Sequence, residues 1–328
     1  MTGSRPLPIL LARSVLRRLP IVAVFAVIGC GGAASDDVVQ APFVDADPED
    51  LVPVEEGKAD GWAFMPSDLM DDHVFEDAGF MTVEEVQAFL DDTPYGRKSF
   101  LADHRVSGGS VAGSVVASAK EHRINPLVLL AKLQVEMALV GMADKPSSRR
   151  TDFAMGCGCP DNMRCYETWR GLGKQIGCAA ERFRSYLDDL DEKGRTVAGW
   201  SVGVAKSSLD PQPVTPKNRA TAALYTYTPW VLHGTGGNWL FWNVFRKYAR
   251  HFLEARPNHR WVGAACSDVD ACGFPDARCD HDELGGACTV ECDRHCPDSR
   301  MPGTVTTFCW QARCVSRCDV VQFSDHGG

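Results

Sequence analysis

The sequence has no surplus of positive charge. Its 34 Lys and Arg face 43 Asp and Glu, for a formal net charge of −9. A nucleic-acid partner needs basic groups to neutralise phosphates, so none is expected. Long apolar runs are also missing. The most apolar stretch near the start, residues 19–29, falls short of the roughly 20 residues that a membrane-spanning helix needs. No phosphate-binding loop, Ser-His-Asp signature or cofactor fingerprint is present, and no cofactor is expected. Residues 188–194 are acidic but lack the ligand spacing of an EF-hand loop, and no metal is expected.

What is present describes an ordinary folding chain. Hydrophobic residues make up 45% and charged residues 23% of 328, enough for one medium globular domain and extras. The 14 cysteines are too many for a reduced compartment, and beyond Cys30 they fall in two clusters, which points to disulfides in an oxidising one.

The first 29 residues hold four arginines, no acid, and then the short apolar run, the pattern of a signal peptide. Removing those four arginines from a net charge of −9 leaves −13. The run ends in Val27-Ile28-Gly29-Cys30, which resembles a bacterial lipobox. The resemblance implies cleavage before Cys30, lipidation of its sulfur and a membrane partner through the acyl chains. Gly31 and Gly32 follow, so an aspartate-type retention signal is lacking. The expected location is the cell envelope, lipid-anchored, at the outer membrane facing the periplasm or cell surface. Residues 30–60 are rich in Asp, Glu, Gly and Pro and read as an acidic disordered tether.

Residues 61–258 read as mainly α. Thr82 with Glu85 has capping-box spacing. Residues 172–190 and 238–252 carry helical apolar faces, 110–122 is a further candidate helix, 218–228 reads as a small-residue helix ending at Pro229, and residues 191–216 read as irregular with a short hairpin. In a further helix Asn125 suits the N-cap, Pro126 the first turn and Gly141 the end. Leu129, Leu133, Glu136 and Val140 then form one stripe. A carboxyl on an apolar stripe is expected to have a raised pKa, as general-acid cleavage of a glycosidic bond requires. Pairing of Glu136 with a buried Arg or Lys is the alternative.

Residues 152–165 form a Gly- and Cys-rich loop. Cys159 with Cys165 closes a small ring around Pro160 and Asp161, and Cys157 can reach Cys178. Zinc coordination by these four fits less well, because paired CxxC knuckles are missing.

The ordered set INPLVLLAKLQVEMALVG, DFAMGCGCPD, GLGKQIGCAAERFRSY and NRATAALYTYTPWV resembles the lysozyme-like domain of bacterial cell-wall proteins related to lytic transglycosylases and goose-type lysozymes. The resemblance covers roughly residues 70–252. It implies a lysozyme-like helical fold, peptidoglycan as partner, Glu136 as catalytic acid, Gln175 as cleft glutamine, and Tyr225 or Tyr227 as cleft tyrosine. Met137 departs from the usual Glu-Ser pair, and Gly-Leu-Gly-Lys-Gln from Gly-Leu-Met-Gln. The implied reaction cuts the MurNAc-GlcNAc β-1,4 bond, as a lytic transglycosylase or muramidase. Asp152 is the candidate second carboxylate near the substrate, with capping or loop bonding as its structural alternative. A non-catalytic glycan-binding lipoprotein and an N-acetylglucosaminidase are the competing functions.

Residues 263–320 carry nine cysteines with little apolar material between them and read as a small disulfide-rich C-terminal module. With the four of the central domain the total is thirteen, Cys30 being lipidated, so one thiol is expected to be free or to pair with another chain. A zinc site from Cys292, Cys296, His281 and His295 is the weaker reading.

Overall fold

The chain builds its helices from strong local signals, and a computed structural model describes residues 48–51, 63–160, 163–254, 256, 258–282 and 284–316. The signal peptide, Cys30, most of the acidic tether, Asp161 and Cys318 lie outside the described residues. In chain order come α1 (Asp72–Phe75), α2 (Val83–Asp91), the β1 (Arg105–Val106) and β2 (Gly109–Ser110) hairpin, α3 (Val111–His122) and α4 (Pro126–Met137). Then follow α5 (Ser148–Asp152), α6 (Leu172–Lys193), the β3 (Lys206–Ser207) and β4 (Pro213–Val214) hairpin, α7 (Arg219–Tyr227) and α8 (Gly237–Leu253). The Thr82 capping box forms, with Glu85 N–H donating to Thr82 Oγ1 at 3.2 Å and Thr82 N–H to Glu85 Oε2 at 2.9 Å. Asn125 and Asn218 cap α4 and α7, their side-chain oxygens accepting from Leu127 and Thr221 N–H.

Helix α4 occupies the centre. Every residue from Pro126 to Gln134 is buried, and so is Glu136. The expected single stripe is therefore a helix covered on nearly all sides, mainly by α3 and α8. Such a helix can hold polar side chains only if each finds a partner.

One partner comes from the segment expected to be a disordered tether. Pro48–Asp50 forms a 3-10 turn, and the Asp50 side chain is buried. Tyr95 Oη donates to its carboxylate at 2.6 Å, Gln134 Nε2 of α4 at 2.7 Å and Lys247 Nζ of α8 at 2.8 Å. Asn243 donates to its backbone oxygen at 2.6 Å, and Leu51 packs on the core. The composition of 30–60 describes an average; one aspartate that meets a lysine, a phenol and an amide departs from it.

The C-terminal region contains two hairpins, β5 (Arg278–Asp280) with β6 (Ala287–Thr289) and β7 (Thr307–Trp310) with β8 (Arg313–Ser316). Its disulfides repeat one pattern. Cys266–Cys279 and Cys272–Cys288 join first to third and second to fourth; Cys292–Cys309 and Cys296–Cys314 do the same. Eight of the nine cysteines are thus paired within the region, and the ninth is Cys318. These bonds enclose a small core around Trp261, Val262 and Phe274. The module begins before residue 263, because Trp261 and Val262 belong to it. It is clasped to the helices: Arg260 holds Asp77 with two bonds of 2.6 and 2.7 Å, Trp261 stacks on His73, and Arg300 pairs with Asp68.

Asp50→Ala removes the counter-charge of Lys247, which keeps only the Glu49 backbone oxygen and the Tyr95 ring, and takes an acceptor from Gln134 and Tyr95. It is expected to destabilise the full chain by about 3 kcal/mol, whereas Glu49→Ala at the exposed neighbour costs less than about 1 kcal/mol. Urea unfolding of both variants measures this; equal small losses would mean that the 48–51 segment is not docked in solution.

Candidate active site

Glu136 stands one residue before the end of α4. The helix does not run to Gly141. It stops at Met137, and Ala138 adopts the left-handed conformation at φ 52°. A non-glycine residue there costs about 1–2 kcal/mol of strain. The turn recovers some of this through Ala138 N–H to Gln134 O at 2.7 Å. Gly141 serves elsewhere: its N–H donates to Gln134 Oε1 at 2.9 Å, folding the loop back on the helix. Arg150 of α5 donates to Met137 O at 2.8 Å and covers the same helix end.

The Glu136 side chain is 3% exposed and forms an ion pair with Lys132, itself 2% exposed. Of the two readings of this carboxyl, isolated on an apolar stripe or paired with a buried Arg or Lys, the structure shows the second, with the ammonium one helical turn earlier. The i,i+4 spacing makes this contact geometrically natural. Lys132 has further partners. Its Nζ donates to Thr228 Oγ1 at 2.9 Å and lies 4.3 Å from the centre of the Tyr227 ring.

Tyr227 links the pair to the cysteine loop. Its hydroxyl donates to Met155 O at 2.5 Å. Burial first, and then the nearby Glu136 carboxylate, push the phenol well above its usual pKa, so it remains a donor. Gln175 holds the same loop from the other side. Its Oε1 accepts from Met155 and Cys157 N–H, each at 3.1 Å, and its Nε2 donates to Cys157 O and Trp169 O at 2.9 and 2.7 Å. All four of its usual hydrogen-bonding positions are filled. Gln175 is therefore a positioning residue for the loop, rather than a free amide facing a sugar. Cys157–Cys178 and Cys159–Cys165 fix the loop covalently. Gly158, at φ 69°, is required where it stands, because a Cβ would run into the Trp169 ring.

Tyr227 and Gln175 thus meet at residues 155–157, and Glu136 joins them only indirectly, through Lys132 over the Tyr227 ring. Two other expected site residues lie apart. Tyr225 packs on Trp200 with ring centres 4.9 Å apart, and its buried hydroxyl finds no partner among the described residues. Asp152 pairs with Arg170 at 2.9 Å and lines a separate groove. Lys132 is the site residue that the helical stripe concealed; its signal was the i−4 position. The cysteine triads 266/272/288 and 292/296/314 lie close enough to hold an ion, but disulfides occupy all six sulfurs. The zinc reading of Cys292 and Cys296 fails on the same bonds.

Searches of protein-family models, curated proteins and solved structures returned no match to this chain.

Lys132→Met leaves a buried carboxylate without its counter-charge, and Glu136→Leu leaves a buried ammonium with only Thr228 Oγ1 and the Tyr227 ring. Each is expected to destabilise by about 3–5 kcal/mol, and the double variant by clearly less than the sum. A double-mutant cycle in urea measures the coupling; additive losses would deny the pair.

Proposed function

We propose that this chain cleaves the β-1,4 bond between N-acetylmuramic acid and N-acetylglucosamine in peptidoglycan, with Glu136 as proton donor. The supporting observation is the placement of Glu136. It is a buried carboxylate at the last turn of the central helix, paired with Lys132, whose ammonium lies over the Tyr227 ring, and Tyr227 in turn bonds a loop pinned by two disulfides. The lysozyme-like reading of the helical domain belongs to this proposal.

The Lys132–Glu136 pair is then the resting state. Cleavage requires the two to part and the Glu136 carboxylate to take up a proton from bulk solvent, which it then passes to the glycosidic oxygen. Lys132 keeps contacts when this happens, because Thr228 Oγ1 and the Tyr227 ring already hold its ammonium. As the glycosidic bond breaks, positive charge develops at the sugar C1, and a substrate N-acetyl group stabilises it. Glu136, now deprotonated, takes a proton either from the sugar 6-hydroxyl or from water. The first gives a 1,6-anhydro sugar and the second a reducing end. Asp152 is engaged with Arg170, and no second carboxylate is assigned to the reaction.

The same ion pair favours a second reading. A carboxylate locked to Lys132 permanently would leave a domain that binds glycan without cutting it. Anchoring through a lipidated Cys30 at the outer membrane is part of both readings and would keep the domain within reach of the wall. No helix among the described residues is long and apolar enough to cross a membrane.

Digestion of purified peptidoglycan, with mass spectrometry of the soluble fragments, tests the proposal. Wild type is expected to release muropeptides, and Glu136→Gln to lose at least about a hundredfold of that activity, the scale of general-acid catalysis. The released ends separate a muramidase or transglycosylase from an N-acetylglucosaminidase. Wild type that retains glycan but releases nothing would replace cleavage with binding.

A further inference from the structure

A groove of about 430 Å³ opens where β1, the loop before α5 and the first turn of α6 meet. Its wall carries Arg105, Lys145, Arg170 and Lys174 against a single carboxylate, Asp152. In a chain with a net charge of −9, this is a local reversal of sign. The one carboxylate is already committed to Arg170. Lys174 donates to a backbone oxygen, that of Thr168. Arg105 and Lys145 have no acidic partner among the described residues. Burial and then the Lys145 ammonium hold the His104 imidazole below its usual pKa, which is consistent with a surplus of cations at this wall. The first turn of α6 adds the positive end of its dipole.

The groove adjoins the proposed active site through one short helix. Ser148, Thr151 and Asp152 of α5 line it, while Arg150 of the same helix caps the end of α4 at Met137 O, next to Glu136. Arg150 thus ties the helix that lines the groove to the helix end that carries Glu136.

We infer that the groove binds carboxylate groups carried by the glycan strand, with Arg105 and Lys145 as the recognising cations. The inference rests on the proposed reading of the wall polymer as substrate. That polymer offers carboxylates of two kinds: on the stem peptide, and on the lactyl ether of a muramic sugar from which the peptide has been removed. Guanidinium and ammonium groups with no protein partner suit either. Recognition here selects carboxylate-bearing strands over uncharged chains of N-acetylglucosamine.

Three soluble probes distinguish the sources: N-acetylglucosamine oligomers with no carboxylate, muramyl glycan stripped of peptide, and peptide-bearing glycan. Their affinities for the full chain are measured by fluorescence polarisation, with wild type and the Arg105→Ala/Lys145→Ala double variant. Both residues are exposed, and an unchanged melting temperature verifies the fold of the variant. Wild type is expected to prefer the carboxylate-bearing probes. The double variant is expected to lose about tenfold in affinity for them and none for the uncharged oligomer. The preference should fade at about 1 M salt, where screening acts within about 3 Å. Loss with stripped glycan assigns the lactyl group, and loss only with peptide-bearing glycan assigns the stem. Equal affinity of wild type for charged and uncharged probes, or an unaffected double variant, overturns the inference. Wild type that digests the wall without charge preference sinks the groove and leaves cleavage standing. Groove-dependent binding without digestion does the reverse.

Discussion

A central helix with no open side must still dispose of three polar side chains, and the domain is arranged around that demand. Lys132, Gln134 and Glu136 all lie on the buried part of α4. A lone buried charge costs several kcal/mol, so none of them can be left unsatisfied. Lys132 and Glu136 answer each other. Gln134 requires a donor and an acceptor from outside the helix, and it takes Gly141 N–H on one side and Asp50 on the other. The left-handed turn at Ala138 and the docking of residues 48–51 both follow from this requirement. So does the placement of the chemistry, because a carboxylate held by an ammonium within the core is reserved rather than spent on solvent.

The parts of the fold that were legible in the sequence are those set by neighbours within one helical turn. Thr82 with Glu85 and Asn125 before Pro126 are local devices, and each forms as its spacing implies. The cysteine loop was legible too, because the six-residue separation of Cys159 and Cys165 leaves a short closure. What stayed hidden depends on partners far along the chain. Asp50 meets Lys247 across 197 residues, and Arg260 meets Asp77 across 183. Gly141 looked like a helix end because glycine tolerates the left-handed conformation, yet the fold spends Ala138 there. The competing demand was the side chain of Gln134, which no propensity encodes.

The candidate site shows the same division. Glu136 was visible from periodicity, and pairing with a buried cation was one of its two readings, but the stripe did not single out Lys132 as that cation. Gln175 was expected to face a sugar and is instead consumed by the loop it holds. Tyr225 and Tyr227 are two residues apart on α7, so they point to different sides, and Tyr227 is the one joined to Lys132. The cationic groove had no sequence signature at all. Arg105 and Lys145 are 40 positions apart, and they share a wall only because the β1 hairpin and the loop before α5 both lie against the start of α6.

The account turns on whether the ion pair opens when glycan binds. A crystal structure of the full chain with a bound oligosaccharide fragment measures this directly. The account predicts a Glu136 oxygen about 2.6–3.2 Å from a glycosidic oxygen, with the Lys132 ammonium withdrawn to Thr228 and the Tyr227 ring. A fragment seated on the domain with the Lys132–Glu136 contact intact, and no sugar oxygen near that carboxylate, would contradict it.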